Sequence, residues 1–310
     1  MRIVRDYQFV GADDRGASVA IGNFDGVHVG HQSVIDLARA ADPDAPLGIL
    51  TFEPHPRSYF APEAPPFRLM NPAARASRLE KLGVQSLYEL PFNAELAGLT
   101  PRAFAQDVVA DGLGLRHVVV GADFCFGKGR AGTADDLKAF GAEMGFGVTI
   151  APLLERSDRT VSSTAIRQAL SDGRPQDAAT MLGHWHRIEG PVIGGEQRGR
   201  KLGYPTANMS IDGLHLPAFG VYAVLFDVLE GPHQGAYQGV ASLGVRPMFG
   251  VNTPNLETFV FDFSGDLYGA AVSVALIAHL RGEENFDSLD ALIEQMDRDS
   301  AEARAILAAL

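Results

Sequence analysis

Between Ala17 and about Gly183 the apolar positions follow two alternating rhythms. SVAIGNF is a short dense apolar run, SVIDLARAA sets Val34, Ile35, Leu37 and Ala38 in a helical stripe, and LGILTFEPHP returns to a strand. LEKLGVQSLYELPF, AFAQDVVADGLGLRHVVVGADF and DDLKAFGAEMGFGVTIAPLL repeat helix-then-strand at crossover spacing, which predicts a parallel sheet flanked by helices. SSTAIRQALSDGRPQDAATMLGHWH reads as two helices around a Gly-Arg-Pro turn, and the rhythm stops near Trp185 to Ile188. Beyond it, HRIEGPVIGGE, GVYAVLFDVLEG, YQGVASLGV, LETFVFDF and AAVSVALIAHL are β-branched or aromatic runs bounded by Gly, Pro and Asn, the pattern of an antiparallel β domain. From Phe286 onward, Leu289, Leu292, Ile293, Met296, Ala303, Ile306 and Leu307 recur at helical spacing, so one amphipathic helix closes the chain. The expected fold class is α/β plus β, in two domains, 1–186 and 187–310.

Composition narrows the chemistry. At 310 residues with 46% hydrophobic and 21% charged positions, the chain affords two packed cores rather than a disordered tract. Lys and Arg number 26 against 38 Asp and Glu, giving 26 − 38 = −12, a field that repels nucleic-acid backbones. A small anionic ligand remains compatible, because helix N-termini and backbone N–H groups act locally. Cys125 stands alone, which excludes an intramolecular disulfide or a cysteine-based zinc site. No uncharged run reaches the roughly 18 apolar residues of a membrane span, and the N-terminus is acidic where a signal peptide is apolar, so a cytoplasmic location is expected. Self-association is left open.

Two segments carry candidate chemistry. Gly22-Asn23-Phe24-Asp25-Gly26-Val27-His28-Val29-Gly30-His31 joins an apolar strand to a helix. Its glycines allow close backbone approach, and His28 and His31, three apart, are expected on one helical face, where imidazoles donate to phosphate oxygens. A pair of capping histidines and a metal pair are the alternatives, the second needing a third ligand that the sequence does not nominate. The hydroxyl-rich helix start Ser162-Ser163-Thr164-Ala165-Ile166-Arg167 shifts the balance toward phosphate. In the second half, the Gly-rich basic loop through Arg198, Gly199, Arg200, Lys201, Leu202 and Gly203 suits either phosphate or a solvated turn, and it lacks Walker spacing.

These two segments, with Thr51-Phe52-Glu53-Pro54-His55-Pro56-Arg57 and Gly121 to Arg130, together resemble the bacterial bifunctional riboflavin kinase/FAD synthetase family along nearly the whole chain. The resemblance implies an N-terminal Rossmann-like nucleotidyltransferase domain and a C-terminal antiparallel β-barrel kinase domain with a closing helix. It implies ATP-dependent phosphorylation of riboflavin to FMN, then adenylyl transfer from ATP to FMN, giving FAD and pyrophosphate. It assigns the adenylyltransferase ATP site to Gly22, Asn23, Phe24, His28, Gly30, His31, Ser162, Ser163, Thr164 and Arg167, with the two histidines acting in catalysis. Asp123, Phe124 and Phe126 become flavin-binding candidates, although such aromatic alternation equally suits a half-buried strand end.

Gly203-Tyr204-Pro205-Thr206-Ala207-Asn208 resembles the riboflavin kinase signature. By that similarity Gly199, Lys201, Gly203, Pro205, Thr206 and Asn208 bind ATP, and Thr206 and Asn208 hold Mg²⁺, which suits oxygen donors. Glu257 aligns with the catalytic carboxylate that takes the proton of the riboflavin 5′-hydroxyl. Cys125 and Val29 stand where the family often has basic residues, and Met248 where Thr is common. The alternative reading keeps FAD synthesis alone, with the C-terminal domain a non-catalytic flavin-binding module. Small-molecule substrates are the expected partners, with no nucleic acid and no membrane.

Overall fold

The computed structural model describes residues 1–152, 161–194, 204–248 and 251–310. Packing divides the chain into two compact units, 1–65 with 75–161, and 66–74 with 162–310. Among the described residues no helix is long and apolar enough to cross a membrane.

The first unit is a six-stranded sheet in which every pairing is parallel. Its strands are β1 (Arg2–Val4), β2 (Ser18–Ile21), β3 (Leu47–Glu53), β4 (Ser86–Pro91), β5 (His117–Gly121) and, after the short hairpin β6 (Cys125–Phe126) and β7 (Gly132–Thr133), β8 (Gly147–Ala151). Strands covered on both faces need continuous apolar runs, and all four residues of β2 are buried accordingly. Helices α1 (Val29–Ala41) and α6 (Ala134–Met144) follow β2 and β7; between them lie α2 (Pro56–Phe60), α3 (Pro72–Lys81), α4 (Ala94–Gly98) and α5 (Pro101–Ala103), the last continuing as a π-helical stretch over Phe104–Ala110. Ile21, Leu50, Leu90, Phe104, Val118 and Leu137 meet in the core. β1 is not predicted by the hydrophobic pattern: it is three residues long, with Arg2 and Ile3 exposed, and pairs only with β4 at the sheet edge.

Strand order β1-β4-β3-β2-β5-β8 fixes where a ligand belongs. The chain runs outward from β2 through β3 and β4, then returns to β5 on the other side of β2. In open α/β sheets the crevice beyond the carboxyl ends of strands at such a reversal is the ligand site. The Gly22–His31 turn leaves the carboxyl end of β2, and Asp123 to Phe126 leave that of β5.

In the second unit, β9 (Arg187–Pro191), β10 (Thr206–Ser210), β11 (Gly220–Val228), β12 (Gly235–Met248), β13 (Val251–Val260) and β14 (Ala271–Arg281) pair antiparallel in the order β10-β13-β12-β11-β14-β9. An Ile193–Asn208 bridge brings the two ends together, leaving a near-closed barrel around Met209, Leu243, Leu256, Phe226 and Val274. The two expected helices are α7 (Ser163–Ser171) and α8 (Pro175–Leu182), and they pack with this unit, as does Pro66–Ala74. The C-terminal helix spans Leu289–Leu307 and buries Ala303 and Leu307 against Val240, Phe261 and Ile277 on the barrel's outer face. Arg281 clamps it through Asp299 at 2.8–3.1 Å and Arg304 through Asp262 at 2.7 and 2.9 Å. Phe286, expected to open this helix, precedes it, because Ser288 caps the first turn; its ring lies 5.6 Å from the Arg281 guanidinium.

Candidate functional site

The turn after β2 is built around His28. Rather than sharing a helical face with His31, His28 is the N-cap of α1, with extended backbone, and its Nδ1 accepts the His31 backbone N–H at 3.2 Å. Accepting that bond leaves the neutral ring's proton on Nε2, a donor for an incoming oxygen. The rings of His28 and His31 stack at 3.6 Å, and Phe24 packs 5.2 Å from His31. Gly30 makes this possible, since a Cβ there would stand 3.1 Å from the His28 ring. Gly26 takes φ +85°, while Phe24 and Val27 adopt φ +50° and +44°. Left-handed non-glycine residues cost roughly 1–3 kcal/mol each and concentrate at functional sites.

Burial lowers the His28 pKa to about 4, and burial together with the neighbouring His28 pushes His31 well below the ordinary histidine value. His31 Nδ1 is buried and has no hydrogen-bond partner among the described residues. Both rings are therefore neutral near pH 7 and ready to donate. His186, in the second unit, is likewise lowered to about 3, chiefly by burial.

An unfolded histidine binds a proton below about pH 6.5, whereas folded His28 and His186 stay neutral to about pH 4 and 3. The unfolded chain thus holds more protons in that window, and stability falls as pH drops through it. Each histidine contributes about 1.4 kcal/mol per pH unit there. Urea unfolding between pH 7 and 4.5 is expected to show this loss, and His186→Gln to remove one proton's share of the slope; an unchanged slope would refute the assignment.

A chain of aromatic rings runs along the same carboxyl edge. Phe60 meets Tyr59 at 5.1 Å and Phe92 at 5.7 Å; Phe92 meets Phe52 at 5.7 Å; Phe52, Phe104, Phe126 and Phe124 continue at 6.5, 5.5 and 5.6 Å. Phe126 is buried in the core and backs the partly exposed Phe124, stacked at 14° between planes. Phe60 is 68% exposed, an uncovered ring at the end of the array. It is not among the residues expected from the sequence, although two adjacent aromatics at the end of the short helix after β3 are a readable signal.

The Ser162–Arg167 element falls in the second unit. Ser162 caps α7 by accepting the Ala165 N–H at 3.2 Å. Arg167 Nε donates to the Phe67 carbonyl at 2.6 Å, with its guanidinium 5.4 Å over the Phe67 ring.

On the barrel, Asn208 and Glu257 are direct cross-strand partners of β10 and β13. Asn255 joins them: its Nδ2 donates to Asn208 Oδ1 at 3.2 Å and to Glu257 Oε1 at 3.3 Å. Asn208 Nδ2 turns to Thr206 Oγ1 at 3.4 Å. Thr206, Asn208, Asn255 and Glu257 thus form one polar cluster on a strand pair, and Asn255 is a member not foreseen from sequence. Tyr204, the second residue of the motif, donates its hydroxyl to Asp297 of the C-terminal helix and packs on Phe259 at 4.7 Å. Burial first, then Asp297, raises its pKa to about 12. Pro205, Thr206 and Asn208 also line a cavity of about 540 Å³ whose other wall is the Phe263–Tyr268 loop. Gly199, Lys201 and Gly203 lie outside the described residues.

An open parallel sheet with an anion-suited turn at its reversal, and a barrel carrying a Thr/Asn/Glu cluster beside a cavity, define a two-module nucleotide-dependent transferase. Comparison with known proteins resolves the class. A family model described as FAD synthetase matches residues 11–165, and one described as riboflavin kinase matches 182–307. The bifunctional riboflavin kinase/FMN adenylyltransferase of Pseudomonas fluorescens is 39% identical over 99% of this chain and 98% of its own, and that of Escherichia coli K12 36% over 98% and 97%. A Streptococcus pneumoniae crystal structure, described as a macrolide-efflux protein, superposes with TM-score 0.83 at 33% identity over 97% of this chain and 98% of its own. The chain belongs to the bifunctional riboflavin kinase/FMN adenylyltransferase family.

Proposed function

We propose that one polypeptide runs two ATP-dependent steps at two sites, with the division of activities at 186/187. Riboflavin and ATP give FMN and ADP, and FMN and a second ATP give FAD and pyrophosphate. The observation carrying this reading is full-length likeness to proteins named for both activities, with both family models matching in order.

In adenylyl transfer, the FMN phosphate oxygen attacks the α-phosphorus of ATP and pyrophosphate departs, so alignment and charge stabilisation do the work. Gly22, Asn23, Phe24 and Gly30 shape the phosphate turn, and His28 and His31 donate N–H groups to oxygens gaining charge. Ser162, Ser163, Thr164 and Arg167 add donors to the phosphates. Phe124, backed by Phe126, and the exposed Phe60 offer apolar faces to the flavin, with Asp123 beside them.

On the barrel, Glu257 accepts the proton of the riboflavin 5′-hydroxyl as that oxygen attacks the γ-phosphorus. Gly199, Lys201, Gly203 and Pro205 approach the phosphates of this second ATP. The Thr206 hydroxyl and Asn208 amide oxygen, hard donors at the cavity wall, fit Mg²⁺. When bound, that ion neutralises phosphate charge. A cytoplasmic enzyme acting on small molecules, with no nucleic-acid partner, fits the acidic balance.

A time course with purified protein, riboflavin, Mg²⁺ and ATP, resolved chromatographically, tests the whole reading. FMN is expected first and FAD after it. FAD from added FMN without any product from riboflavin would reduce the barrel to a flavin-binding module.

A further inference from the structure

Beneath the Gly22–His31 turn lies a charged cluster that neither reaction step uses. Arg75 is only 1% exposed. Its Nη2 donates to Glu53 Oε2 at 3.0 Å and to Glu89 Oε2 at 2.8 Å, and its Nη1 donates to the Asn23 carbonyl at 3.5 Å. Thr51, fully buried on β3, donates its hydroxyl to the same carbonyl at 3.3 Å. Glu89 also accepts Arg5 Nε at 3.1 Å, so each buried charge has an opposite neighbour.

A guanidinium withdrawn from water is costly unless paired; Nη1 and Nη2 of Arg75 have partners while its buried Nε has none among the described residues, and the rigid fork lets one arm serve carboxylates while the other reaches a backbone oxygen. Here the two carboxylates stand at the end of β3 and in the carboxyl-terminal half of β4, and the backbone oxygen belongs to the phosphate turn. Displacement at Asn23 has a direct route to the histidines. The Val27 N–H donates to the Phe24 carbonyl at 3.2 Å, and Gln32 on α1 donates to the Val27 carbonyl at 2.9 Å. Phe24 and Val27 are the two residues of this turn, other than glycine, held in left-handed backbone, a conformation that lasts only where its surroundings enforce it.

We infer that Arg75 is a positioning residue for adenylyl transfer: clamped between Glu53 and Glu89, it braces the Asn23 carbonyl with Thr51 and so sets the turn that carries His28. The inference rests on assigning adenylyl transfer to this turn. Its signature is a loss of turnover rather than of flavin affinity, because a misplaced donor weakens the transition state more than the ground state.

The test compares full-length Arg75→Met, Arg75→Lys, Thr51→Val and the double variants, measuring FMN adenylylation and riboflavin phosphorylation in each. Arg75→Met is expected to lower the adenylylation kcat about tenfold with KM for FMN within about twofold, leaving phosphorylation unchanged. Arg75→Lys keeps the charge between the two carboxylates and with it the fold, but recovers little of that loss, since one ammonium has no second arm for the Asn23 carbonyl. Combined with Thr51→Val, either variant loses less than the product of the single effects, because both anchors hold one oxygen. Adenylylation within about twofold of wild type in Arg75→Met, strictly additive effects, or a parallel fall of both activities would overturn the brace. If Arg75→Met does not fold, the cycle of Arg75→Lys and Thr51→Val decides the same question. Unimpaired adenylylation in His31→Ala would overturn the assignment of the turn instead.

Discussion

Replacing His31 by alanine lowers FMN adenylylation about 10²–10³-fold, the scale for deleting one preorganised transition-state donor, and leaves riboflavin phosphorylation untouched. The ring is neutral and has a buried nitrogen that no described residue satisfies, so no reorganisation is needed when an oxygen gains charge beside it. His28→Ala falls in the same range for a related reason: its Nδ1 is spent on capping α1, which points its proton outward on Nε2. Because the two rings stack at 3.6 Å, the double variant is expected to lose far less than the product of the single losses. Pyrophosphate release from FMN and ATP measures the effect, and ADP release from riboflavin and ATP is the control in the same sample. A parallel fall of both in a folded protein would mean that the two reactions share a site.

The parts of this arrangement that could be read from the sequence are those written in local periodicity. β2, α1 and β3 follow from an apolar run, a helical stripe and a second apolar run, and both faces of β2 are covered as such a run requires. β1 escaped because three residues with exposed ends leave no period to detect; its existence depends on β4. His28 and His31 were identifiable by spacing, yet their stacking was not, since it arises from a cap rather than a helical turn. Arg75 carries no signal in the sequence, because its role depends on the carboxylates that β3 and β4 bring to it. Asn255 gave no signal at all: its amide matters because register places it diagonal to Asn208 and two residues from Glu257.

That same register carries the second large effect. Glu257→Gln keeps the shape of the side chain and still meets the Asn255 amide through its remaining oxygen, so the strand pair has no reason to rearrange. It removes the only property the proposed step needs, an oxygen able to take the proton of the riboflavin hydroxyl, and general-base deletion of this kind costs about 10²–10⁴ in rate. FMN formation is therefore expected to fall by that factor while FMN-to-FAD conversion continues at the wild-type rate. Chromatography of riboflavin, FMN and FAD separates the outcomes: variant protein given riboflavin stalls at the start, and given FMN it makes FAD. FMN formation within about tenfold of wild type would move the base elsewhere on the barrel. The split itself, one reaction lost and the other intact, is what two independent catalytic sites on one chain require, and a flavin-binding module without chemistry cannot produce it.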